Sequence, residues 1–270
     1  MTVAPVAPSV VVEGAARAPL PFGLFSVVPL RPAGDGRWQS GVVWDALTCE
    51  PARGLGAPDC DPDTDQVGAP KDLDVEWDVP AASAFTVYGV WQCTPTGWTV
   101  EGAARMAEAH LLAREEARVE QALWTGDLGN VPNLVGEAAV TVTGSNAKVA
   151  VGALEARIAS AYGSLGVLHA PRDLASFLAS EGVIERQGAR LVTKLGTPVV
   201  AGAGYPSQGR IIGSPPIFGY RSEVFAPSAR AGDLLDRGRN DLYAIAERTY
   251  LLGFDPCGVT AATIPTGATP

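Results

Sequence analysis

Residues 99–124, TVEGAARMAEAHLLAREEARVEQALW, repeat their apolar and charged positions at helical spacing and are filled with strong helix formers. Thr99 suits the N-cap, Glu101 the first turn and Gly126 the stop. Leu112, Val119 and Leu123 fall on one stripe, the expected buried face. At 1.5 Å per residue the predicted helix is roughly 40 Å long. Ahead of it the pattern differs. Residues 1–32 carry Pro5, Pro8, Pro19, Pro21, Pro29 and Pro32, which forbid a regular helix and interrupt any central strand. They read as an extended arm that lies against its own core or another subunit, because alone it buries too little to be ordered.

From Arg37 to about Val90 the chain makes a β-rich excursion. RWQSGVVWDALTC and SAFTVYGVWQC suit strands, and the tract between them is rich in Gly, Pro and Asp. A connection this long departs from an ordinary hairpin and predicts a projecting two-stranded arm with an irregular tip. After the loop GDLGNVPNL a second helix is expected over 149–162. GVLHAP then reads as a buried strand stopped by Pro171, RDLASFLASEGV as a helix, and the residues around 196–226 as strands. NDLYAIAERTYLLGFDPCGVTAATI reads as two closing strands, although NDLYAIAERTYLL also fits a short helix. The tail 265–270 is expected to be loose.

The chain of 270 residues is long enough for one large domain or two modest ones, and 47% apolar content argues against disorder. A net charge of −9 disfavours nucleic acid as a direct ligand, which needs clustered Lys and Arg. The opening MTVAPVAPSVVVEG lacks the basic start of an export signal, and no apolar run reaches spanning length. A soluble protein made in a cytosol is expected. Cys49, Cys60, Cys93 and Cys257 lack paired Cys-x-x-Cys spacing, which argues against zinc; in a reducing compartment they start as thiols.

Candidate chemistry fails each check. GTPVVAGAGYPSQGR begins as a phosphate loop does, but Pro206 and a strand-forming run follow the glycines where a helix N-terminus is required. Positive-φ turns between strands are the plainer reading of residues 202–209. Asp59, Asp61, Asp63, Asp65 and Asp72 mimic a calcium loop, yet Gln66 occupies its glycine position and Pro62 intervenes. A Ser-His-Asp site would have to use His110 or His169, and Ser164 lacks the Gly-x-Ser-x-Gly elbow. No catalytic, cofactor-binding or metal residue is assigned.

The order of arm, β excursion, long helix, mixed region and returning strands resembles the major capsid proteins of tailed bacteriophages, the HK97-like fold. TVEGAARMAEAHLLAREEARVEQALWTGD is similar to that family's spine helix, and GVLHAPRDLASFLA to its axial strand and helix. The glycine-rich stretch with its second Gly-x-Pro, and AERTYLLGFDPCGVTAATI, resemble its later strands, while LPFGLFSVV and GVVWDALTCEP resemble actinobacterial-phage members. The resemblance implies an α+β fold: N-terminal arm 1–32, extended β-loop 33–90, and peripheral domain 91–134 with spine helix 99–124. An axial domain 135–215, returning peripheral strands 216–264 and flexible tail 265–270 follow. It implies a structural virion protein that self-assembles as pentamers and hexamers into an icosahedral head around double-stranded DNA. The DNA is non-specific content, and assembly takes place in the host bacterial cytoplasm. No enzyme activity, cofactor or membrane is implied. Partners would be further copies, portal, a separate scaffold (or the chain is already processed) and decoration proteins. Removing the arm 1–32 is expected to leave a folded subunit that fails to close a shell. The alternatives are an encapsulin-like nanocompartment shell and a nucleotide-binding enzyme using the 202–209 glycines. Some relatives join a loop lysine to a neighbour's asparagine. Here Lys71 and Asn240 are available, but Asp72 and Asp74 favour the charged amine and oppose the reaction. Cys49 and Cys60, bracketing the loop base, are the candidate pair for a disulfide once particles leave the cell.

Overall fold

The computed structural model describes residues 18–32, 34–46, 49–54, 73–74, 79–94, 99–226, 235–236, 238 and 241–264. The first half carries strands β1 (Leu30–Pro32), β2 (Val42–Val43), β3 (Ala81–Ala82) and β4 (Ala84–Cys93), then helices α1 (Val100–Thr125) and α2 (Leu134–Glu137). Strand β5 (Val140–Val142) leads to α3 (Ala147–Tyr162), β6 (Val167–Pro171) and α4 (Arg172–Ser180). There follow β7 (Ile184–Gln187), β8 (Arg190–Thr193), β9 (Pro198–Gly202) and β10 (Arg210–Ser214). The chain closes with β11 (Phe218–Arg221), β12 (Leu235–Asp236), β13 (Asp241–Gly253) and β14 (Thr260–Thr263).

Helix α1 starts and stops as its sequence dictates. The Gly102 N–H donates to Thr99 Oγ1 (3.0 Å), and Gly126 takes the left-handed conformation (φ 70°) that releases the chain. Asn146 caps α3 in the same way through Val149 N–H (3.1 Å). One position of the expected stripe is wrong. Val119 and Leu123 are fully buried, but Leu112 is 50% exposed and Leu111 is buried beside it. Periodicity gives the direction a side chain points, not what stands opposite. Around Val119 to Trp124 the helix meets Val200 and Tyr205, whereas Leu112 looks into an open groove edged by Leu20.

Two sheets flank this helix. In the first, β1, β11, β13 and β12 are neighbours, and β4 pairs with the other edge of β13 along ten positions, from Leu242 opposite Cys93 to Leu251 opposite Ala84. Phe85, Val87, Ala244, Ala246 and Tyr250 face α1 in one core with Leu111, Val119, Leu123 and Trp124. Each large side chain buried there contributes about 1.5–3 kcal/mol. Gly89 sits where the helix backbone touches the sheet: a Cβ there would lie 2.6 Å from the Ala107 carbonyl oxygen and the Leu111 nitrogen. The second sheet runs β5-β14-β10-β6-β9-β8-β7 and mixes parallel with antiparallel pairs. Helices α3 and α4 supply its second core through Leu154, Ile158, Leu174 and Leu178.

Several expectations need correction. Among its described residues RWQSGVVWDALTC is a 3-10 turn (Arg37–Ser40) followed by the short strand β2, paired with β3 at Val42 and Val43 and extended by the Trp44 N–H bond to the Pro80 carbonyl. The bend turns Trp38 into a small core with Ala82 and Leu251, and that burial outweighs strand propensity. SAFTVYGVWQC is a strand, but it belongs to α1's sheet and runs through residue 90. NDLYAIAERTYLL is strand, not helix, while AERTYLLGFDPCGVTAATI is split, β13 in the first sheet and β14 in the second. The described part of the arm, residues 18–32, is packed on the subunit. Leu24 and Val28 are buried in the main core, so deleting 1–32 would open the subunit itself. The calcium-like aspartates, Cys60, Lys71, Asn240 and the tail lie outside the described residues.

Candidate functional site

The middle of α1 carries three acids where an amphipathic helix turns toward its core: Glu115, Glu116 and Glu120. Glu115 faces the first sheet, where it accepts from Arg248 Nη1 (2.8 and 2.9 Å) and from the Tyr250 hydroxyl (2.7 Å). Burial first, then that hydrogen bond, raises the Tyr250 phenol above its ordinary value. Glu116 and Glu120, one turn apart, face the arm. Phe25 N–H donates to Glu116 Oε1 (2.8 Å) and Leu24 N–H to Glu120 Oε1 (3.0 Å), while Gly204 N–H donates to Glu120 Oε2 (2.8 Å). From α4, Arg172 donates to the Pro21 carbonyl (3.0 Å), and Ala201 N–H to the Phe22 carbonyl (2.8 Å). Glu120 therefore clasps the arm with one oxygen and the glycine loop after β9 with the other.

Burial raises Glu120 from 4.5 to about 7, outweighing the backbone N–H groups of Gly204, Leu24 and Ala203; Glu116 nearby adds to the rise. The folded state thus holds this proton more tightly than the unfolded state. Stability from this group is greatest below pH 4.5 and falls as pH rises toward 7, by about 3 kcal/mol at most. Denaturant midpoints measured between about pH 5 and 7.5 should decline less for Glu120→Gln than for the natural chain. Equal slopes would clear Glu120 of the effect.

The glycine cluster has a packing purpose. At Gly204 the loop backbone presses on α1 so closely that a Cβ would overlap the Ala117 carbonyl oxygen. The group facing it is a carboxylate, which repels phosphate. No helix starts there: β9 ends at Gly202 and the chain turns into β10. His169 is fully buried on β6 between Tyr205 (Oη to Nδ1, 2.9 Å) and Ser214 (Oγ to Nε2, 3.0 Å). Ser214 spends its own proton on the Pro215 carbonyl (2.8 Å), so Nε2 is the donor to Ser214 and Tyr205 donates to Nδ1. Burial lowers the His169 imidazole to about 3, which keeps it neutral. A serine with no base to activate it, in a site closed to solvent, is a structural network. His110 only meets the Val90 carbonyl (3.1 Å) at the surface, and Ser164 stands in the loop before β6.

The sequence-predicted disulfide is corrected. Cys49 is bonded to Cys257, with Cα atoms 5.2 Å apart, and therefore not to Cys60. Pairing needs proximity in space, and folding brings the excursion's root to the turn after β13 across 208 residues of sequence. Among the described residues no group of three or more His, Cys, Asp or Glu is placed to hold a metal, and no helix is long and apolar enough to cross a membrane.

What remains open is surface. On the outward face of β4 and β13, Tyr88, Val90 and Ile245 are exposed, with Phe225 bridged to Glu247 beside them. Sequence reasoning passed over this face. Its signal was apolar residues on both alternations of FTVYGV, which marks a strand with two faces to cover. The glutamate clasp was missed as well. Its signal was an acid, Glu120, between Val119 and Leu123 in the buried register.

No protein-family model and no curated protein matches the sequence. Solved structures do. A chain of Mycobacterium phage Adephagia superposes with a TM-score of 0.58 at 15% identity, over 96% of each chain. One of Microbacterium phage Oxtober96 gives 0.56 at 12% identity, over 96% of this chain and 91% of that one. A chain from the capsid of an empty GTA particle gives 0.55 at 11% identity, over 94% of this chain and 99% of that one. The likeness shows the fold: the α+β, HK97-like capsid fold runs through nearly the whole chain.

Proposed function

We propose that this chain is the major capsid protein of a tailed bacteriophage, assembling as pentamers and hexamers into an icosahedral head around double-stranded DNA. The observation that carries the reading is near-complete mutual coverage with chains of actinobacterial phages and of a GTA capsid, with no large unmatched domain on either side. The molecule's own chemistry agrees. Among the described residues Glu115, Glu116, Glu120 and His169 are bonded within the subunit, while Tyr88, Val90 and Ile245 leave one strand face apolar and exposed. Such features suit repeated contact between copies. The role is structural and requires no catalysis.

In this reading residues 1–32 are the arm and the extended loop region begins at 33 and gives way to β4 at Ala84; β4, α1 and β11 to β13 belong to the peripheral domain, and β5 to β10 with β14 to the axial domain. The head is built in the host bacterial cytoplasm with scaffold and portal proteins, and decoration proteins join it in the virion. Negative-stain electron microscopy of the purified chain, alone and with its scaffold, should show closed shells of uniform size. Small, non-assembling oligomers under both conditions would overturn the proposal.

A further inference from the structure

The two bonded cysteines differ in reach. Cys257 is buried in the turn after β13, whereas its partner Cys49 is exposed at the root of the excursion. The same junction is already held without the bond. Trp44 Nε1 donates to Asp255 Oδ1 (2.8 Å), and the Trp44 ring meets Phe218 edge-on at 5.0 Å. Folding alone thus brings Cys49 to Cys257, so the bond closes a junction that exists beforehand. A buried thiol beside an exposed one also dictates which pair forms. A small oxidant reaches Cys49, and among the described cysteines Cys257 is the one placed to resolve it, which keeps the reaction within one chain.

We infer that Cys49 and Cys257 are a redox latch, open as thiols while the chain is made and closed when the assembled particle meets an oxidising medium, where it ties the excursion's root to the turn linking the two sheets. The timing rests on the shell reading; the pairing does not. The oxidant is a low-molecular-weight disulfide such as oxidised glutathione. The Cys49 thiolate attacks one of its sulfurs and releases one thiol, then the Cys257 thiolate attacks Cys49 and releases the second. Two protein thiols are oxidised as one small disulfide is reduced to two thiols.

Assembled particles alkylated at the moment of lysis should carry all four cysteines as thiols. After incubation with oxidised glutathione, Cys49 and Cys257 should be found joined in one peptide pair by mass spectrometry. On a non-reducing denaturing gel the oxidised chain, closed over 208 residues, should run ahead of the reduced one as a single band. Its melting temperature should stand roughly 5 °C above that of reduced particles. Cys49→Ser, at an exposed position, should remove the shift, and Cys257→Ala should do the same if it folds. A bond already present at lysis, a Cys49–Cys60 pair, an interchain ladder, or thiols untouched by the oxidant would each overturn the latch. Electron microscopy of the same samples separates the two ideas. Shells without the bond sink the latch alone, and the bond without shells sinks the shell reading.

Discussion

Val119→Asp is expected to leave the protein insoluble. Val119 is fully buried at the point where α1 meets both the first sheet and the loop after β9. A carboxylate there would be buried among apolar side chains, one turn from Glu115 and beside Glu120. The cost is several kcal/mol, comparable with the whole stability of a domain, about 5–15 kcal/mol. Leu112→Asp, seven residues earlier on the same stripe, is the matched contrast. Its side chain already meets water at the groove, and the change should shift the denaturant midpoint by less than about 1 kcal/mol equivalent. The measurement is soluble yield followed by urea unfolding. Soluble Val119→Asp with a natural midpoint would mean that α1 is packed some other way.

Gly204→Ala should be nearly as damaging although it adds one methyl group. The methyl would overlap the Ala117 carbonyl oxygen and lie 3.0 Å from the Gln121 nitrogen, both parts of a helix backbone that cannot yield. The loop must lift, and Gly204 N–H then leaves Glu120, whose buried oxygen loses its donor. Overpacking and the orphaned carboxylate oxygen together should cost about 2–4 kcal/mol. Gly152→Ala on α3 is the control. A Cβ there meets nothing within 4 Å, and the better helix former should stabilise slightly, by about 0.5–1 kcal/mol. If thermal melting ranks the two variants the other way, the close approach at Gly204 is absent.

The contrast between these glycines shows where sequence reasoning stops. Helices α1 and α3 and the strand ended by Pro171 were legible because caps, breakers and periodicity are local signals. The failures were all questions of what lies opposite. Leu112 has the right phase but faces an open groove, Trp38 bends a would-be strand toward a core assembled from residues 82 and 251, and Cys49 finds its partner 208 residues away. The closing strands were read correctly, yet nothing local in GFDPCGVT reveals that the chain changes sheets there. The site divides in the same way. Local grammar excluded the phosphate loop, but the reason for its glycines, contact with α1 and a hydrogen bond to Glu120, exists only in three dimensions.

The change of sheets at GFDPCGVT is one of three along the described chain: α1 and α2 lead from β4 to β5, Pro215 to Ile217 lead from β10 to β11, and Phe254 to Val259 lead from β13 to β14. Mechanically the two sheets are joined by struts in parallel, not by one hinge in series. A pull that separates them is divided among three covalent members, and the disulfide-bonded turn is one of them. A wall built from such units, strained outward by packed contents, would deform through the contacts between its tiles before any single tile came apart.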